Sequence, residues 1–509
     1  MKNITENVSL DIESKGIKLE HGISSSVVTR IIKNLMCKRR HVLLNGPGGV
    51  GKSYTIAEVI KEIKGMETPL IDHITKIYVT ATTGTAAVNL SSGDNWGDVG
   101  ISVTTLHKFA GIGIDHKKPT ESLVNIMKRY SPTAISRWIK CDILIIDEVS
   151  MLSASFFEAL NLVAQRIRKN TNFFGGIRIV ACGDFLQLPP VKEQWVFTSN
   201  VWNLLNFKTF IFETPKRYDD LEFFDMLLRV RKGEITNLDC KILKIRMGSY
   251  KELMKIINSY TTSQAKDIIK PTVLHSRRID VNGFNDKELE KLPGKYTIFN
   301  ATDEFGGFSG PEIDIYKKSL DEIIDPTIKL KVGAQVMLTI NLNTEDGFAN
   351  GSRGVVEELH GELGAIVMFL NGQNMMVGLH EWTIQDKKGR CTRSQIPLKL
   401  AYALTIHRSQ GCTLDYAVLD LGPSIFADGQ AYVALSRCRN IRGLFISNFT
   451  KESIVANKEA LDYDKKIRDP LMIVMKLCII KKFCKEIQFP ADIINVMLKF
   501  LVKFHLKKI

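Results

Sequence analysis

Hydrophobic positions follow two alternating periods along the first two-fifths of the chain. Compact apolar runs, Val42–Leu44, Lys76–Thr80, Ile143–Ile146 and Ile177–Cys182, are separated by stretches in which apolar residues recur every three to four positions. The first pattern is that of buried strands, the second that of amphipathic helices. From Arg40 to Pro190 this alternation predicts a parallel sheet with ligands gathered at the strand C-termini. Gly111 to Lys140 is polar and basic, a predicted excursion from that sheet. A second α/β region is predicted from about Phe207, and its signals resume between Pro397 and Ser447. In between, Gly294 to Arg393 has many glycines and alternating runs such as Leu330–Leu338 and Ala365–Leu370, which predict a small β-rich insertion.

After Asn448 comes a basic amphipathic tail. There Phe489-Pro490-Ala491-Asp492 opens a helical pattern with Ile493, Met497, Phe500 and Phe504 on one face.

The 509 residues suffice for several separate cores, at an ordinary 44% hydrophobic and 24% charged. The longest apolar candidate, Leu471–Ile480, is short and carries Lys476, so no membrane span or membrane partner is expected. Met1–Leu19 lacks the apolar core of a signal peptide. Nine cysteines are scattered without a C-x-x-C pair, which predicts a reduced, intracellular protein without a zinc site. Net charge is +14. Residues 476–509 supply +6 of it through eight lysines against Glu486 and Asp492. The rest of the chain is therefore only moderately basic, and charge alone does not decide for nucleic acid.

The chemistry begins at Gly46-Pro47-Gly48-Gly49-Val50-Gly51-Lys52-Ser53, a full match to G-x-x-x-x-G-K-[ST] between a strand run and a helical stretch. Its glycines let backbone N–H groups curl around a polyphosphate at a helix N-terminus. Lys52 offers a charge for the β- and γ-phosphates, and Ser53 a ligand for Mg²⁺. A Gly-rich turn that binds nothing is the alternative. Next, Ile143-Leu144-Ile145-Ile146-Asp147-Glu148 is a buried run ending in two acids. Asp147 suits a Mg²⁺ contact and Glu148 the activation of water, although Asp147 could also cap a helix. A third run leads to Gly183-Asp184-Phe185-Leu186-Gln187-Leu188-Pro189-Pro190, where Gln187 could sense a γ-phosphate or simply sit in a Pro-terminated turn. Phosphoryl transfer also needs cations on the developing charge. Arg217 and Arg437 are candidates, both far downstream of the first sheet.

These blocks, in this order, resemble superfamily I helicases of the Pif (petite integration frequency) type, related to RecD-like helicases. The likeness extends over Thr80–Ala87, Thr104–Gly111, Ile146–Met151, the Arg217 block, Leu404–Gly411 and Gln430–Arg437. Leu330–Leu338 and Asn350–Gly354 look like the family's β-barrel insertion. The resemblance implies an α/β fold with two RecA-like P-loop motor domains and ATP in the cleft between them. It divides the chain into an N-terminal extension (1–24), domain 1A (25–206, with a duplex-splitting wedge in 111–140), domain 2A (207–299 and 395–450), an SH3-like β-barrel insertion 2B (300–394) and a helical tail (451–509). Arg217 and Arg437 become arginine fingers, and Gln187 couples hydrolysis to closure.

The resemblance also assigns contacts to a nucleic-acid backbone: Thr82, Thr85, Thr105 and His107 in the first domain, and Thr405, His407 and Ser409 in the second. Threonines are also common in strands for their shape alone. Phe109 could stack on a base or fill the core. The implied activity is ATP- and Mg²⁺-dependent unwinding of DNA, with 5′ to 3′ movement on a single strand. A nucleoprotein-remodelling ATPase and an RNA-directed motor are the alternatives.

Three departures stand out. No Gln precedes the phosphate loop to read adenine (the first is Gln165), Tyr218 stands where relatives often have Gln, and Arg408 where Lys is usual. The tail faintly resembles an F-box start, and could bind a protein partner, grip DNA or pack on the motor. Together with the Lys/Ile-rich make-up, it resembles helicases of large DNA viruses of insects, such as an invertebrate iridescent virus. For such a protein the nucleus or cytoplasm of an infected cell would be the compartment.

Overall fold

A computed structural model describes residues 22–66, 75–83, 103–112, 132–248, 272–306, 324–340, 352–369, 371–385, 390–410 and 416–468, with isolated positions between these runs. Residues 1–21 of the extension expected at 1–24, the helical pattern at 489–504 and most of the expected wedge at 111–140 lie outside them, and the helix Gly22–Ile32 runs across the expected boundary at 24/25.

The first sheet is built from β1 (Val42–Asn45), β2 (Ile77–Ala81), β3 (Val103–Thr105), β4 (Ile143–Asp147), β5 (Arg178–Gly183) and β6 (Lys208–Ile211). They are hydrogen-bonded in the order β3-β2-β4-β5-β1-β6, and every pairing is parallel. Strands β1 and β4 are buried along their whole length, as their unbroken apolar runs require. The helix Lys52–Gly65 covers one face. Its Ile56, Val59, Ile60 and Ile63 follow the spacing of one helical stripe and are all buried. They pack with Val42, Leu44 and Val180 and with Val28, Ile31 and Leu35 of the N-terminal helical segment. Each such side chain contributes roughly 1.5–3 kcal/mol of burial. The described end of the expected wedge, the helix Pro132–Lys140, packs into this domain: Trp138 is fully buried and its indole N–H donates to the Ala110 carbonyl.

The boundary expected at 206/207 falls one element early. β6 pairs in register with β1, Val42 opposite Lys208, and so closes the first sheet instead of opening the second domain.

The second sheet joins β7 (Thr272–His275) to three strands that arrive more than a hundred residues later: β18 (Ala403–Thr405), β19 (Ala417–Leu421) and β20 (Leu444–Phe449). Their order is β18-β7-β19-β20, again parallel. Between β7 and β18 lie ten strands, β8 to β17, from Thr297 to Leu400. All of their pairings are antiparallel, in sheets of five, three and two strands that do not close into a ring among the described residues. This β-rich insertion also extends past its expected ends. Thr297–Asn300 and Leu398–Leu400 pair within it.

The two α/β domains share an apolar seam. Val50 and Leu188 of the first lie in one cluster with Phe223, Leu227 and Val433 of the second. The helix Lys458–Arg468 belongs to a separate compact unit and carries an Arg468–Asp464 ion pair one turn apart. No helix among the described residues is long and apolar enough to cross a membrane.

Candidate nucleotide cleft and strand-binding face

The phosphate loop leaves the C-terminal end of β1 and enters the helix Lys52–Gly65. Gly49 and Gly51 take left-handed backbone angles, φ +79° and +82°, open to glycine at little cost. Gly49 also needs its missing side chain, since a Cβ there would stand 2.8 Å from Arg217 Cβ. Lys52 Nζ donates to the carbonyls of Gly46 and Pro47 at 2.7 and 2.8 Å. Ser53 Oγ lies 3.5 Å from Asp147 Oδ2 at the end of β4. Two hard oxygen donors side by side at the loop fit Mg²⁺, which binds few carboxylates and completes its shell with phosphate oxygens and water.

Glu148 follows in a left-handed conformation, φ +51°, which costs a non-glycine residue about 1–3 kcal/mol. Its amide donates to Asp147 Oδ1. Burial, and next to it the Asp147 carboxylate, push the Glu148 carboxyl above its usual range, while Lys52 and Arg437 pull it back. Such tuning suits a base that takes a proton from water.

Both arginines reach the cleft from beyond the first sheet. The backbone amides of Lys216 and Arg217 donate to the Gly49 carbonyl. Arg217 Nη1 is buried without a hydrogen-bond partner. Burial, and then the like charge of Arg437, lower its pKa. Arg437, 2% exposed, is held by the Val433 carbonyl and the Ser436 hydroxyl. Its Nη2 comes within 3.8 Å of a Cβ built on Gly48. Lys52, Ser53, Asp147, Glu148, Gln187, Arg217 and Arg437 thus line one cleft of about 490 Å³. Tyr218, the departure beside the finger, donates its hydroxyl to the Ser436 carbonyl and so ties the two arginine segments together.

Several buried residues linked by hydrogen bonds to the cleft's lining carry no role in the sequence reading. Tyr432 accepts from the Gly48 amide and donates to Asp184 Oδ2. Asp184, fully buried, is bound bidentately by Arg231 from the helix Leu221–Arg231. Gln410 bridges Glu148 and Gln187. Gln410, Tyr432 and Asp184 stand inside the motif blocks and were legible as members of them. Arg231 stands outside all of them, with no local signal.

The expected strand contacts divide. Thr82 donates its hydroxyl to the Glu148 carbonyl, Thr105 caps the helix Leu106–Ala110, and exposed His107 stacks on Phe156 with ring centroids 4.4 Å apart. In the second domain Thr405 ends β18, and His407, its pKa lowered by burial, stacks on the exposed ring of Phe426. These groups lie at the C-terminal ends of both sheets. Phe109 is corrected. It is fully buried, 4.9 Å from the Trp138 ring and 5.2 Å from Tyr78, so it fills the core and offers no face to a base. Ser409 is corrected as well, because its hydroxyl is buried and donates to the Ile406 carbonyl. Thr85 lies outside the described residues.

Two parallel sheets, a phosphate loop, the adjacent Ser53 and Asp147 and two arginines that reach the loop from beyond the first sheet define a P-loop protein with two α/β domains. Residues 23–241 match the PIF1-like helicase family and residues 322–359 the DNA helicase Pif1 2B domain. The chain is 30% identical over 456 residues to the ATP-dependent DNA helicase Pif1 of Bdellovibrio bacteriovorus, covering 88% of this chain and 94% of that one. It belongs to the PIF1-like helicase family. It is also 33% identical over 451 residues to the zebrafish (Danio rerio) ATP-dependent DNA helicase PIF1, covering 87% of this chain and 64% of that relative's length. The crystal structure of the Candida albicans Pif1 helicase is similar, with a TM-score of 0.74 at 28% identity, over 89% of this chain and all of that one.

Proposed function

We propose that this chain is an ATP-dependent DNA helicase that moves 5′ to 3′ on a single strand and separates the duplex ahead. The observation that carries this reading is the meeting of Arg217 and Arg437 with Lys52 and Glu148 in one cleft. Membership in a family whose named relatives are ATP-dependent DNA helicases supports DNA as the polymer.

In this reading the loop amides and Lys52 hold the β- and γ-phosphates. Mg²⁺ at Ser53 and Asp147 would offset phosphate charge when bound. Glu148 takes a proton from water as the water oxygen bonds to the γ-phosphorus. The bond to the bridging oxygen breaks, leaving its electron pair on ADP. The two guanidiniums stabilise charge on the transferring group. Because they belong to the second domain, loss of the γ-phosphate removes a tie between the domains, and the cleft relaxes. Thr105, His107, Thr405 and His407 supply sequence-independent grip on the strand backbone, while Thr82, whose hydroxyl and amide both donate within the first domain, holds the Asp147–Glu148 segment.

The test is hydrolysis measured with single-stranded DNA, duplex and RNA, together with displacement from a 5′-overhang duplex. Lys52→Ala is expected to abolish hydrolysis and leave strand binding intact, and Arg437→Ala to lower turnover on the order of 10³-fold. Stimulated hydrolysis without displacement would favour a remodelling ATPase, and stimulation by RNA alone an RNA motor. Normal turnover in Arg437→Ala would remove the motor cleft itself.

A further inference from the structure

We propose that Gln410 is the positioning residue through which the second domain governs hydrolysis at the first. This rests on reading the cleft as an ATPase. Gln410 follows the turn His407–Ser409 and is 3% exposed, with its backbone amide donating to the His407 carbonyl. Its Nε2 donates to Glu148 Oε2 at 3.1 Å and to Gln187 Oε1 at 3.2 Å. One amide group of the second domain therefore holds the general base and the γ-phosphate sensor of the first.

Chemistry settles which end of the amide faces them. A carboxylate oxygen and an amide oxygen both need a donor, so only the NH₂ end fits. The bond to Gln187 engages that residue's oxygen, which directs its Nε2 toward the phosphate loop, 3.7 Å from a Cβ built on Gly48. The bond to Glu148 fixes one carboxylate oxygen and leaves the other for water. The remaining atom, Gln410 Oε1, is buried without a hydrogen-bond partner. Gln410 exchanges no proton in the step: the water proton passes to Glu148, and Gln410 sets where Glu148 and Gln187 stand.

The same turn carries the link to the polymer. Thr405 and His407 lie five and three residues before Gln410, and the Gln410 backbone is bonded to His407. A strand seated on Thr405 and His407 fixes the turn, and the turn fixes the amide. Hydrolysis is fast only when that amide is in place.

The experiment measures steady-state ATP hydrolysis by the full chain with and without oligo(dT). Variants are Gln410→Ala, Gln410→Met and Gln410→Glu, with Gln187→Ala alone and combined with Gln410→Ala. Gln410→Ala is expected to lower strand-stimulated kcat on the order of 10²-fold, leaving KM for ATP and Kd for oligo(dT) within about threefold. Gln410→Met keeps the volume without the amide and gives the same loss; it decides if the alanine variant does not fold. The double variant loses less than the product of the two single losses, because part of the Gln410 effect passes through Gln187. Gln410→Glu, when ionised, offers no donor to either oxygen and is expected to lose at least as much kcat as Gln410→Met with KM for ATP unchanged, a kcat-only loss that a merely structural role would not give. Full stimulated kcat in the Met variant, or losses that multiply in the double variant, would overturn the proposal. A wild-type chain without strand-stimulated hydrolysis would instead remove the ATPase reading on which it rests.

Discussion

Glu148 shows how one position can serve chemistry at a cost to the fold. It carries a left-handed backbone and a carboxyl whose proton is held more tightly than usual, chiefly by burial and then by Asp147. The sign of the consequence is definite. A raised pKa in the folded state means that folding favours the protonated acid. Stability from this group is therefore present at low pH and lost as pH rises through the elevated value. Turnover moves the opposite way, since only the ionised carboxylate accepts the water proton. Glu148→Gln, neutral at every pH and still able to accept from Gln410, is expected to melt higher than the wild type at pH 7 and equal to it near pH 4. It should also lose hydrolysis by roughly 10²–10⁴-fold. Thermal melts at the two pH values check the first expectation, and an unchanged melting point at pH 7 would refute the burial account.

At the scale of elements, the seam of the first sheet depends on His41. Its Nδ1 accepts from the Ile179 amide and its carbonyl from the Lys208 amide, so one residue stitches β1 to β5 on one side and β6 on the other. Burial, and then nearby Arg178, lower its pKa from 6.5 to about 4. A depressed histidine stabilises the fold above 6.5, and that contribution fades as pH falls toward 4, by about 3 kcal/mol in all. His41→Gln keeps an acceptor and cannot titrate. Its urea midpoint is expected to fall less than the wild type's between pH 7 and pH 4.5, and equal falls would exclude His41 as the acid-sensitive joint.

The same strands mark how far the chain could be read unaided. β1, β2, β4 and β5 were legible within a residue or two because unbroken apolar runs and the motif at each C-terminal end are local signals. β6 was assigned to the wrong domain, since Lys208–Ile211 looks the same locally whichever sheet it joins. Phe109 was left open between a base stack and the core, and Ser409 was misplaced, for a related reason. A motif names a segment, and only packing decides which of its side chains turn inward.

Across the whole molecule, closure of the motor cleft rests on a charge pair that joins the domains. Asp184 follows β5 of the first domain, and Arg231 lies in the helix Leu221–Arg231 of the second. Both are buried, with Arg231 donating through two nitrogens. Burial alone would raise the Asp184 carboxyl; the Arg231 guanidinium outweighs it and holds the pKa below the ordinary value. Tyr432 adds a hydroxyl between Asp184 and the Gly48 amide, so the pair also touches the phosphate loop. Removing Arg231 leaves Asp184 buried with only neutral donors, the Tyr432 hydroxyl and the Leu186 amide, whereas removing both charges leaves an apolar contact beside the existing seam. Arg231→Met is therefore expected to cost about 3–5 kcal/mol, and Asp184→Leu with Arg231→Met to recover much of it. Function separates the two effects. The double variant lacks the tie, so it should fold yet hydrolyse ATP slowly even with single-stranded DNA present, because Arg217 and Arg437 are no longer drawn over the loop. Denaturation midpoints of the single and double variants, read beside their strand-stimulated turnover, make the comparison. A double variant that is restored in stability and fully active would show that the arginines reach the phosphates without this pair.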